Sequence, residues 1–256
     1  MKVSSQNNIS YKAQLLSQWR CSNIKNKAKN ISVIAIEKKD QPFIENFITY
    51  IKNLNNDAVK KEIMKDSSKT MLEILIKSNM SGMDKVKMYI AAHDRIPCGI
   101  LIANIPKIFW GDEVFVYSSR HNPSKNETEI DWLVTWNPDD ENIKGIGKAL
   151  VGEYFRTIKK DKFRDVFVRS EVPEKSFANA FYEKLGFEQL GKKRLRLFNK
   201  NSAQYVIHDF TENDDETIPM LITRSHLLQT AENLAKNMGR QEFKKNSTDI
   251  DELISI

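Results

Sequence analysis

Hydrophobic positions along this chain change their period several times. After Pro42, at a plausible first helical position, Phe43, Ile44, Phe47, Ile48, Ile51 and Leu54 recur at helical spacing. The run ISVIAIEKKD (31–40) just before them is β-branched and apolar, and reads as a strand. Ahead of it, residues 9–20 place Leu15, Leu16 and Trp19 on one face after a Ser10 cap, which predicts a short helix followed by a polar linker, SNIKNKAKN. Residues 57–79 form a second helical region. KVKMYIAAHDRIPCGILIANI (85–105) predicts two strands joined at HDRIP, with the proline in the connection.

The region 104–127 has room for an extra strand, Glu113–Tyr117, and a polar loop. TEIDWLVTW (128–136) is a strand leading into Asn142–Leu150, where a helix starts with Ile146, Ala149, Leu150, Tyr154, Phe155 and Ile158 along one stripe. A strand (165–172) and a helix (173–187) follow, and Gly186 suits a left-handed helix stop with Phe187 folding back. LGKKRLRLF (190–198) and AQYVIHDF (203–210) suggest a closing hairpin. TENDDETIP (211–219) reads as an acidic linker, 223–238 as a last amphipathic helix stopped by Gly239, and the tail after Lys245 as disordered. The pattern is mixed α/β, with 128–136, 145–160 and 165–172 as a strand–helix–strand crossover.

Composition narrows the partners only a little. The chain has 256 residues, 40% hydrophobic and 29% charged, with 40 basic against 34 acidic side chains. A balance of +6 favours anions in general and is too mild to point to nucleic acid by itself. Cys21 and Cys98 match no metal or redox spacing, so no metal site is expected. No apolar run approaches a membrane span, and the N-terminus MKVSSQNNISYK lacks the apolar core of an export signal. A cytoplasmic protein is expected.

The pair of glycines in NIKGIGKAL (142–150) is the first sign of chemistry. A helix starting directly after a strand presents unpaired N–H groups at the positive end of its dipole. Glycines there let a bulky anion approach the backbone, and Lys144 and Lys148 flank the amides with charge. A tight strand-to-helix turn would use the same residues. The stretch lacks the GK[ST] ending of a triphosphate loop and is not GxGxxG.

FYEKLGF (Phe181–Phe187) stands one strand later, after a helix with Ala178 at a fitting offset. With NIKGIG before it, the chain resembles the GNAT superfamily of N-acyltransferases over roughly 30–211. The resemblance implies a mixed, partly splayed central sheet flanked by helices, with an N-terminal extension (1–29) and a C-terminal linker, helix and tail (212–256). It implies acetyl-CoA as the cofactor, its pyrophosphate held by Asn142, Ile143, Lys144, Gly145, Ile146, Gly147 and Lys148. Pantetheine would pair with backbone near Val134 and Trp136. The chain departs from the family pattern at Asn142, where glutamine or arginine is usual, in an extra residue before it, and at Lys175, where asparagine is common; Asn179 lies about one helical turn away.

The implied activity is acetyl transfer to a primary amine by direct attack in a ternary complex. Tyr182 matches the family's general acid, and a phenol with a reference pKa of ~10 carries its proton at neutral pH. Backbone amides around Val134–Trp136 are candidates for the oxyanion contact. Glu129 and Asp131, on one strand face, are candidate bases, with Glu171 a rival; His93 and His121 fall in expected loops. The alternatives are a non-catalytic acyl-CoA or partner-binding module, and acetylation of an aminoacyl-tRNA through the basic runs RTIKKDKFR (156–164) and KKRLRLFNK (192–200). The amine-bearing acceptor is small molecule or protein, its choice set by 104–127 and the last helix. That helix could also cover a sheet or pair with another copy as a homo-oligomer.

Overall fold

The computed structural model describes residues 12–23, 25–36, 46–47, 49–51, 53, 86–104, 113–117, 127–136, 142–160, 165–171, 177–189, 195–199, 204–208, 217–243, 247–249 and 253–255. They belong to two compact units that interleave along the chain. One takes in Met1–Ile100, Val134–Leu150 and Met238–Ile256; the other Leu101–Leu133 and Val151–Asn237.

In the first unit, β1 (Lys12–Ser22) and β2 (Ala28–Ile36) form an antiparallel hairpin, where a helix and a linker were expected. Leu15, Leu16 and Trp19 imitate helical spacing, but Ala13, Ser17, Trp19 and Cys21 are the buried positions, and the alternation from Ser17 to Cys21 is that of a strand. A bulge between Leu15 and Ser17 absorbs the extra residue. The expected linker is a tight turn: Asn23 Oδ1 accepts the amides of Lys25 (3.1 Å) and Lys27 (2.9 Å), and Asn26 takes φ +55°. The helix after Pro42 is present at the described positions between 46 and 53 (α1), with Phe47 and Ile51 buried one turn apart. The expected helix at 57–79 lies outside the described residues.

β3 (Val86–His93) continues the sheet beside β2, and β4 (Ile96–Asn104) follows after a turn at Asp94 and Arg95, with φ +47° and +72°. Two left-handed residues in succession make the tight hairpin turn whose twist suits the flanking strands. Pro97 therefore sits inside β4 rather than in the connection. The tail is also ordered where it is described: β12 (Gln241–Glu242) and β13 (Ser247–Asp249) both pair antiparallel with β1, and Ile254 is buried. The strand order in this unit is β12–β1–β2–β3–β4, with β13 also on β1.

In the second unit the predicted crossover is present. β6 (Glu127–Thr135) leads to α2 (Ile146–Lys160), then to β7 (Asp165–Glu171), which runs parallel to β6. α2 itself begins in the first unit and ends in the second. α3 (Phe177–Lys184) and β8 (Glu188–Gln189) follow. The end of the expected acidic linker is instead β11 (Thr217–Ile222), inserted between β7 and β8. Met220 and Ile222 explain the insertion, since both are fully buried; the local acidity of 212–216 masked that apolar alternation. α4 (Arg224–Asn237) ends before Gly239 at φ +52°, as expected. A separate small sheet has the order β10 (Gln204–His208), β9 (Leu195–Asn199), β5 (Glu113–Tyr117), which contains the extra strand and the closing hairpin. Among the described residues no helix is long and apolar enough to cross a membrane.

Candidate functional site

The strand-to-helix corner of the first unit is held from three sides. Asn142 (φ +46°) and Gly145 (φ +98°) both take left-handed backbone, which turns the chain sharply before α2. The Gly145 carbonyl accepts the Ala149 amide at 2.9 Å and so opens the helix. By helix geometry the amides of Ile146, Gly147 and Lys148 then have no acceptor within α2, and no described residue supplies one from outside. Lys144 and Lys148 are exposed beside them, and Ile143 and Ile146 are buried beneath.

Not every amide of the loop is available. Lys144 donates its N–H to Ser22 O, the last carbonyl of β1, at 2.8 Å. Gly145 is covered on its Cα side: a β-carbon there would lie 3.3 Å from Met238 Cε and 3.4 Å from Cys21 Sγ. Below the helix start, Gly99 on β4 lets α2 come close. A β-carbon at Gly99 would meet Ile146 Cγ2 at 3.0 Å, Leu150 Cδ1 at 3.1 Å and Thr135 Cγ2 at 3.2 Å. Gly99, Ser22, Cys21 and Met238 are the parts of this corner that no motif in the sequence marked. A glycine inside an apolar strand was the one available signal.

Burial pushes the Cys21 thiol up to about 12, so it is a neutral packing group at physiological pH. The Cys98 thiol is raised further, first by burial and then by the neighbouring Cys21, and it donates to Ala91 O at 3.4 Å. His93 was expected in a loop. It ends β3, is buried, and sets its Nδ1 3.0 Å from Asn30 O, because the tight turn after it leaves no loop there. His121 and Lys175 lie outside the described residues.

Trp136 is fixed at the end of β6 by its indole N–H on Pro97 O (2.7 Å), its backbone N–H on Cys98 O (2.9 Å) and a tilted contact with Phe47 at 6.5 Å. Backbone groups alternate direction along a strand. If the Trp136 amide points to β4, those of Val134 do as well, and the groups directed to the opposite edge belong to Leu133 and Thr135. On that edge the pairing of β6 with β7 ends at Ile130 with Val168, so the last five residues of β6 run on without a β7 partner. Glu129 pairs with Phe167 within the register, Asp131 follows just past its end, and Glu171 pairs with Thr217 of β11.

In the second unit the motif FYEKLGF closes α3 upon itself. Phe187 N–H reaches Tyr182 O (3.1 Å), Gly186 N–H reaches Glu183 O (2.9 Å), and Gly186 takes φ +90°. Tyr182 is 7% exposed and packs edge-on against Phe187 (5.3 Å) and Phe181 (5.2 Å). Burial raises its phenol well above the ordinary tyrosine value, and no described residue hydrogen-bonds its hydroxyl. Ala178 is exposed, while Asn179 is buried one turn ahead of Tyr182.

No protein-family model matches the sequence, and no curated protein does. Several solved structures are similar in fold. Aminoglycoside acetyltransferase AAC(6′)-Ib in complex with coenzyme A is 16% identical, with a TM-score of 0.47 over 78% of this chain and 98% of that one. The PaiA N-acetyltransferase of Thermoplasma acidophilum, also with coenzyme A, is 18% identical, with a TM-score of 0.42 over 75% of this chain and 98% of that one. A protein of Bacillus halodurans is 11% identical, with a TM-score of 0.49 over 88% of this chain and 99% of that one. Likenesses this distant assign the chain neither an activity nor a ligand.

Proposed function

We propose that this protein is an acetyl-CoA-dependent N-acetyltransferase acting on a primary amine by direct attack in a ternary complex. The observation that carries the reading is the helix start at 146: three successive amides without acceptors among the described residues, flanked by the exposed Lys144 and Lys148, beyond a left-handed Gly145. A diphosphate has enough oxygens to share among those donors, and the positive end of a helix of 15 residues adds to the attraction. The Lys144 amide is already engaged, so Ile146, Gly147 and Lys148 carry the backbone contact, and Asn142, Lys144 and Lys148 offer exposed polar side chains. The edge of β6 past Ile130 suits a ligand that pairs like an added strand. Backbone groups near Val134 and Trp136, among them those of Leu133 and Thr135, would make that pairing.

Acetyl-CoA would supply the activated acyl group. In this reading Tyr182, protonated at neutral pH, gives its proton to the departing thiolate. Glu129 or Asp131 draws the proton from the incoming amine. Calorimetry and thiol release against a panel of amines test the reading together. Acetyl-CoA is expected to bind and to raise the melting temperature, and at least one amine to release thiol. Tyr182→Phe is expected to keep cofactor affinity and lose roughly 10- to 100-fold in turnover. A protein that ignores acetyl-CoA refutes the proposal. The close packing of Tyr182 favours one second reading, a domain that binds acyl-CoA without turnover, for which thiol release stays absent and Tyr182→Phe changes nothing.

A further inference from the structure

β1 and the segment that follows α4 meet at the strand-to-helix corner. The last residue of β1 gives its carbonyl to Lys144, and the residue before it, Cys21, lies against Gly145. From the other end of the sequence, Met238 lies against the same glycine, 3.3 Å from where a β-carbon would stand. Both contributors are tied to each other as well. Met238 O accepts the Arg20 amide at 2.7 Å, and the bulged Leu16 of β1 accepts the Phe243 amide at 3.1 Å. Between those two bonds Arg240 stands 5.8 Å over the Trp19 ring and bridges to Glu242 at 3.0 Å. The segment from Met238 to Phe243 is thus laced along β1, and its first side chain is set down on the glycine that caps α2.

We propose that Met238 is a positioning residue for the anion corner, a role that rests on the acetyl-CoA reading above. Gly145 is the hinge of that corner: its left-handed φ turns the chain and its carbonyl fixes the first helical turn, so any movement of Gly145 re-aims the amides of Ile146, Gly147 and Lys148. Glycine has no side chain with which to hold itself in place. The thioether of Met238 and the thiol of Cys21 close on it instead, and the Ser22 carbonyl fixes the residue before it. Asn142 offers a shorter side chain at the loop's start than the glutamine or arginine usual in the resembling family, and here the corner is held from outside by β1 and the residue after α4.

The test compares the unaltered protein with Met238→Ala and Met238→Leu. The readouts are the Kd of coenzyme A by calorimetry and hydrogen exchange of the peptide containing 142–150. Met238→Ala is expected to weaken coenzyme A about tenfold and to speed exchange in that peptide, since small displacements of prepositioned donors are costly. Met238→Leu, of similar volume, is expected to restore both. Unchanged affinity in Met238→Ala overturns the proposal, as does weaker affinity with unchanged exchange at 142–150, or no recovery with leucine. Should Met238→Ala fail to fold, Cys21→Ala opens the same contact from β1 and is held to the same outcomes. If the unaltered protein binds no coenzyme A, the cofactor reading falls and this role falls with it, and that result is distinct from a binding protein indifferent to Met238.

Discussion

The corner at Gly145 and the helix end at Gly186 are both glycine turns in left-handed backbone, yet they are built by opposite means. The turn at Gly186 is closed mainly by its own backbone: its backbone hydrogen bonds join residues of one short stretch, Tyr182 to Phe187, while Thr230 Oγ1 (3.0 Å to Leu185 O) and the Phe155 ring (6.1 Å from Phe187) add support from outside. A β-carbon on Gly186 would find only ordinary contacts, at 3.6 Å from Thr230 Oγ1 and 3.7 Å from Ile222 Cδ1. The corner at Gly145 draws on β1, β4 and the residue after α4, and its neighbours are closer. A turn made from its own sequence needs little support. The corner at Gly145 leaves amides without acceptors among the described residues, and distant segments hold its shape.

The sharpest way to break this contrast is to add the same methyl group at each turn. At Gly145, alanine meets both the strain of a left-handed φ and two sulfur-bearing side chains, so a loss of about 2–3 kcal/mol is expected by denaturant titration. Coenzyme A affinity is expected to fall on the order of 100-fold in the same variant. At Gly186 the strain acts almost alone. Alanine is expected to cost about 1–2 kcal/mol there and to leave coenzyme A affinity unchanged. Equal effects on affinity at both positions would erase the distinction.

The smallest effect concerns pH. The Cys21 thiol, raised by burial to about 12 in the folded chain, returns to about 9.0 on unfolding. Above pH 9 the unfolded state therefore gives up a proton that the folded state keeps, and stability falls as pH rises toward 12. Below pH 9 the contribution is fully present. Cys21→Ala is expected to flatten the decline of melting temperature between pH 9 and 11, a change readable by calorimetric scans. An unchanged slope would remove Cys21 as its source.

The elements that could be read from the chain alone were those in which neighbours in sequence are neighbours in space. The stripe from Ile146 to Ile158 specified α2, and Gly186 with Phe187 specified the end of α3, because helix periodicity and a left-handed stop are local chemistry. The parallel β6–α2–β7 crossover followed from the same patterns. β1 was misread as a helix and the start of β11 as a linker, since Trp19, Met220 and Ile222 declare themselves only when other strands lie beside them. Within the candidate site the sequence determined the two glycines and the flanking lysines at 144 and 148. Only the tertiary structure decided that Lys144 donates its amide to Ser22, that the pairing of β6 with β7 ends at Ile130, and that Met238 and Cys21 close on Gly145. The direction of a backbone hydrogen bond, and the reach of a side chain from the far end of the chain, are set by which strands come together, and no residue pattern of its own records that choice.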